Sequence, residues 1–146
     1  MILHTASEGI TLARKLENDS AKFFEDLAQR YVKDAETLLS FARDNKRYIT
    51  QIERAYYGVI TDAIEGGYAF NMDSDDYSLR TTILDNSDRT GLLRQALENE
   101  DKVVKFYSDA ARQSESLLAD VTRAFKMVAE RRVARRPKLS ALLGEK

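Results

Sequence analysis

No cysteine occurs in the 146 residues. That absence excludes disulfides, zinc knuckles, iron–sulfur clusters and thiol nucleophiles together. A single proline and six glycines leave little material for long flexible linkers or a turn-dense all-β fold. No apolar run approaches the ~18 residues of a membrane span, and the opening MILHTASEGI lacks the basic start and long apolar stretch of a secretory signal. Neither sign of charge prevails, with 23 Lys+Arg against 24 Asp+Glu. Nothing global therefore calls for nucleic acid or a membrane as partner. A Gly-rich phosphate loop, a Ser/His/Asp set and a nucleotide fingerprint are all missing. What is present is 43% apolar residues, enough for one core in a chain of ordinary domain length. The expectation is a cytoplasmic, all-α single domain spanning 1–146.

Apolar residues recur every three or four positions in four stretches, which winds them onto one stripe of an α-helix. The first stripe is Ile10, Ala13, Leu16, Ser20, Phe24, Leu27 and Tyr31; the second is Leu38, Phe41, Asn45, Tyr48, Ile52, Ala55 and Val59. The third is Leu93, Ala96, Glu100, Val103, Tyr107, Ala110 and Ser114; the fourth is Leu118, Val121, Phe125, Val128, Arg132 and Arg135. Gly66-Gly67 reads as a stop, Asn86-Ser87-Asp88 as the opening of the third helix, and Ser114 or Ser116 as the cap of the fourth. Pro137 is expected to end or kink that helix, with Leu139, Leu142 and Leu143 in a terminal turn. These signals predict helices over about 5–32, 35–65, 87–114 and 116–136. Short turns pair them into two antiparallel hairpins. A crossover at 66–86, with a short helix near Asp76–Leu84 capped from Asp73–Asp75, joins the hairpins.

The two hairpins carry a faint duplication. Lys22-Phe23-Phe24-Glu25-Asp26-Leu27-Ala28 aligns with Lys105-Phe106-Tyr107-Ser108-Asp109-Ala110-Ala111. Each copy has a glutamate seven residues before its second aromatic, Glu17 and Glu100, on the stripe that should face the core. Asn45 and Tyr48 interrupt the second stripe at the matching height, and Arg132 and Arg135 the fourth. A buried unpaired charge costs several kcal/mol at least, so such a layer is stable only if its members satisfy one another. Two carboxylates, two guanidiniums, a phenol and a carboxamide can do so without a metal, because the arginine fork matches a carboxylate.

Glu17 with Phe24 and Ala28, followed by Phe41-Ala42 ahead of position 45, resembles the rubrerythrin branch of the ferritin-like superfamily from about Glu8 to Leu143. The resemblance implies a ferritin-like four-helix bundle. In that family the first and third helices each give a glutamate, and the second and fourth each give Glu-x-x-His. Together these bind two irons for peroxide reduction or iron oxidation. Glu17 and Glu100 match the lone glutamates. The paired motifs fall on Asn45-Lys46-Arg47-Tyr48 and Arg132-Val133-Ala134-Arg135, which keep neither histidine nor bridging carboxylate. An arginine offers a metal no lone pair.

The expectation is therefore a bundle that has lost its di-iron centre and acts without a cofactor in a structural, regulatory or binding role. The alternative is an oxidoreductase keeping iron or manganese at Glu17 and Glu100, helped by Glu98 or Glu130. His4, the one histidine, is expected at an exposed N-terminus. The acidic stretch Asn71–Asp76 lacks the glycine and glutamate of a calcium loop and reads as caps. Basic residues between Arg123 and Lys138 suit a helix C-terminus. Core packing accounts for most of Tyr56, Tyr57, Tyr68 and Tyr77, an exposed set among them would suit the face of a homodimer, and Gly58 beside Tyr57 would let another helix approach closely; no membrane or nucleic-acid partner is expected.

Overall fold

The computed structural model describes residues 1–59, 67–115 and 119–144. They are mostly helical, in four long helices: α1 (Ala6–Arg30), α2 (Ala35–Val59), α3 (Arg89–Ser114) and α4 (Ala119–Gly144). A two-stranded ribbon accompanies them, β1 (Ile2–Thr5) and β2 (Tyr68–Asp73), and it lies outside the all-helical expectation. The strands are antiparallel, with Leu3 opposite Met72 and Thr5 opposite Tyr68. Thr5 ends β1 and caps α1 in a reciprocal box: its hydroxyl accepts from the Glu8 amide while the Glu8 carboxylate accepts from the Thr5 amide. His4 sits in this strand and stacks on Tyr68 with ring centroids 4.5 Å apart, so it is not a free terminal side chain.

A single 3₁₀ turn, Val32–Asp34, reverses the chain between α1 and α2. Cross-contacts Arg14–Glu53 and Glu25–Lys46 show the two running antiparallel. Arg132–Glu100 and Thr122–Ser114 show the same for α3 and α4. Arg89 at the start of α3 pairs with Asp34, while β2 lies against β1 at the opposite end of α1. The described segment 67–88 therefore travels the length of the bundle. Its short helix is not the expected one. Asp73 caps one 3₁₀ turn, Ser74–Tyr77, and residues 78–84 follow without helix. Side chains on one stripe of α3 hold that segment instead. Asn99 brackets the Arg80 amide and carbonyl, Gln95 donates to the Arg80 and Thr82 carbonyls, and Lys102 to that of Ser78. Further along, Asp109 accepts from the Tyr77 hydroxyl. Irregular backbone needs such partners, because an unpaired peptide group costs about as much as a lost hydrogen bond.

Helix α4 corrects a second expectation, since it runs through Pro137 to Gly144. The proline leaves the Val133 carbonyl without its usual donor, but both residues face water, which can supply one. Beyond it Leu139 and Leu142 are buried. Each contributes roughly 1.5–3 kcal/mol, enough to offset a proline cost of ~3 kcal/mol. Ser114 likewise does not cap α4; its hydroxyl donates to the Ala110 carbonyl of its own helix and meets Thr122 at 2.6 Å. Asp88 caps α3 through the Gly91 amide. On α2, Tyr56 rather than Ala55 completes the buried stripe, and no atom beyond its own helix comes within 4 Å of a Cβ built at Gly58. The expected stop at Gly66, helix over 60–65, the Ser116 cap, Leu118 and the side chain of Val59 lie outside the described residues.

Candidate functional site

The apolar core is in two parts. One cluster holds Ile10, Leu16, Ile52, Phe106 and Phe125 at the ribbon end. The other holds Phe24, Leu38, Phe41, Leu93 and Leu139 at the hairpin-turn end. Between them each helix contributes polar side chains at one level: Glu17 and Ser20 from α1, Asn45 and Tyr48 from α2, Glu100 from α3, Arg132 and Arg135 from α4. All are buried, and Glu17, Asn45 and Arg132 are 0% exposed.

Arg132 is the hub. Its Nε donates to Glu17 Oε2 at 3.1 Å and its Nη2 to Glu17 Oε1, a two-pronged grip. Nη1 donates to Glu100 Oε1 at 2.7 Å, and Nη2 also reaches Asn45 Oδ1 at 3.3 Å. Asn45 passes the network on by donating to Ser20 Oγ at 2.9 Å. Arg135 grips the same Glu100 from the other side, Nε to Oε1 at 2.9 Å and Nη2 to Oε2 at 3.1 Å. Its Nη1 donates to the Phe41 carbonyl at 3.1 Å. Both glutamates thus have guanidinium donors on each oxygen.

Two tyrosines share the layer in different ways. Tyr48 offers its ring, 5.8 Å from the guanidinium carbons of both Arg132 and Arg135. The phenol that donates to a carboxylate is Tyr107, whose hydroxyl meets Glu17 Oε2 at 2.6 Å. Its position in the duplication, paired with Phe24, was the available signal. Phe24 has no hydroxyl and instead faces Arg135, its centroid 5.4 Å from the guanidinium.

Electrostatics follow from burial and pairing. Burial alone would push the Glu100 carboxyl up, but Arg132 and Arg135 outweigh it and hold the group below the usual carboxylate range. Burial raises the Tyr107 phenol far above its ordinary value, and the Glu17 charge raises it further. Burial opposes the charge on Arg132, yet Glu100 and Glu17 bind that charge more firmly still. Two carboxylates and two guanidiniums balance, which is the condition for keeping charge inside a bundle.

The layer does not fit a di-iron centre. Both glutamates are occupied by arginine, and the remaining side chains at this level are the Asn45 amide, the Ser20 hydroxyl, the Tyr48 and Tyr107 phenols and the two cations themselves. Glu98 is exposed and reaches Arg80, and Glu130 faces water. Among the described residues no three His, Cys, Asp or Glu side chains gather as a metal would require. No described helix is long and apolar enough to cross a membrane. Comparison of the chain with models of known families, with curated proteins and with solved structures gives no match, so the chemistry rests on these side chains alone.

Proposed function

We propose that this chain is a rubrerythrin-like, ferritin-like bundle in which arginine has taken the place of iron, and that it serves as a non-catalytic structural, regulatory or binding module. The observation that supports it is the Arg132 guanidinium, fully buried and bonded to both Glu17 and Glu100. Arg132 and Arg135 together already neutralise the two carboxylates, and a guanidinium neither coordinates a metal nor exchanges electrons. As an oxidoreductase with iron or manganese at Glu17 and Glu100, the chain would have to expel two arginines into solvent and leave no histidine behind. We propose further that it works as a homodimer in the cytoplasm. Exposed Tyr57 and Tyr68 are the aromatic residues a second copy would meet, whereas Tyr56 and Tyr77 are buried. Elemental analysis of freshly purified protein, with light scattering alongside, tests both points. The expected result is no stoichiometric metal, a dimer mass, and no peroxide turnover after anaerobic Fe(II) loading. Two irons or manganese per chain would overturn the assignment.

A further inference from the structure

The two hairpins meet along two seams. The seam between α2 and α4 is closed by the helices themselves, with Arg135 on the Phe41 carbonyl and Arg132 on Asn45. The seam between α1 and α3 is covered by the crossover. Residues 78–83 lie there, with Leu16 and Asp19 of α1 on one side and Gln95, Asn99 and Lys102 of α3 on the other. Leu16 and Asn99 are the chain neighbours of Glu17 and Glu100, so this stretch crosses the seam at the height of the buried ions. Leu79 packs on one apolar cluster and Ile83 on the other, so the stretch straddles the polar layer.

Its ends are pinned firmly and its middle lightly. At one end Tyr77 is buried, edge-on to Phe106, and donates to Asp109. At the other, Arg30 gathers the Leu84, Asp85 and Ser87 carbonyls, and the Ser87 hydroxyl accepts from the Leu84 amide. Among the described residues no backbone–backbone hydrogen bond reaches residues 79–83. Side chains hold them instead: Asn99 brackets Arg80, and the bonds from Gln95 and Lys102 face solvent. The apolar anchors Leu79 and Ile83 are only partly buried. A cavity of about 340 Å³ lies along the α1 edge and another of about 380 Å³ along the Gln95 edge, so the stretch has room to move both ways. Few apolar contacts and solvent-facing bonds mark a segment of low local stability. Opening would also let water reach ions that burial leaves poorly solvated, which offsets part of its cost.

We propose that residues 78–83 form a strap that opens while the four helices stay packed, and that this opening is the gate through which water reaches the Glu17–Arg132–Glu100 layer. Such a gate is independent of the oligomeric state of the protein. The test is hydrogen exchange of the full chain, followed by NMR in increasing urea. The probes are the Arg80 amide, which donates to Asn99, and the Arg132 Nε–H, which donates to Glu17. Both should be protected, and both should exchange at rates nearly flat up to about 1 M urea, because opening the strap exposes little surface. Amides of Leu27 and Ile52, inside α1 and α2, should instead accelerate steeply over the same range. Gln95→Ala removes bonds that hold only the strap, and should speed both probes by the same factor, about five- to tenfold. An Arg80 amide that exchanges like a free peptide, or only with the steep urea response of the helices, would overturn the proposal. So would an Arg132 Nε–H that follows the helices rather than Arg80, or a Gln95→Ala effect on one probe alone.

Discussion

Replacing Arg132 with leucine would leave Glu17 without its two-pronged partner and Glu100 with Arg135 alone, both still buried. Removing one member of a buried ion network costs ~3–5 kcal/mol, because the orphaned charge stays in a poor solvent. Arg132→Leu should therefore lower the melting temperature sharply. Arg132→Lys should also destabilise, since one ammonium cannot span Glu17, Glu100 and Asn45 as the planar fork does. An unchanged melting curve for either would mean the guanidinium is not held inside. The same layer sets the response to acid. The Glu100 pKa is lower in the folded chain than the ordinary value, so the folded state binds its proton less readily than the unfolded state. Its stabilising contribution is complete above the unfolded pKa of ~4.3 and is lost as pH falls through the lower folded value. Melting temperatures should hold steady above about pH 5 and fall steeply below about pH 4. A flat profile down to pH 3 would contradict the pairing.

At the scale of elements, Gly9 and Gly58 make opposite predictions from the same substitution. A Cβ at Gly9 would stand 2.4 Å from Cε2 of Phe70, the buried β2 residue that lays the ribbon on α1. Gly9→Ala gains helix propensity of ~1 kcal/mol but overpacks a confined ring at ~1–3 kcal/mol. Net destabilisation is expected, with faster hydrogen exchange at Leu3 and Met72. At Gly58 a Cβ meets nothing within 4 Å, so Gly58→Ala should stabilise by ~1 kcal/mol. Melting curves of the two variants moving in the same direction would count against this. These elements also mark where the sequence could and could not be read. The helical faces were legible because long amphipathic periods repeat over 25 or 26 residues. Glu17, Asn45, Glu100, Arg132 and Arg135 stood out as polar residues on those faces. The ribbon did not stand out, because β1 has four residues and its partner lies more than sixty positions away. Pro137 misled because a local rule gave way to the burial of Leu139 and Leu142. Tyr107 was masked by looking like core.

For the whole molecule, the polar layer divides one long core into two apolar clusters. Slide α1, α3 or α4 by one turn and an arginine or glutamate enters a cluster without its partner, which costs several kcal/mol. Two purely apolar clusters would tolerate that slip far better, since similar leucines and phenylalanines can exchange places. The layer therefore acts on uniqueness more than on stability, because a buried ion network often contributes less than packed apolar residues of the same volume. The combined variant Glu17→Leu, Asn45→Leu, Glu100→Leu, Tyr107→Phe, Arg132→Met and Arg135→Met, which also removes the buried polar groups those charges satisfy, separates the two effects. Its expected melting temperature equals or exceeds the parent's, while its NMR spectrum broadens and its unfolding transition loses cooperativity as the helices sample alternative registers. A variant that keeps sharp lines and a steep transition would show that the capped turns and the α3-bound crossover align the helices unaided. The charges would then be dispensable for specifying the fold.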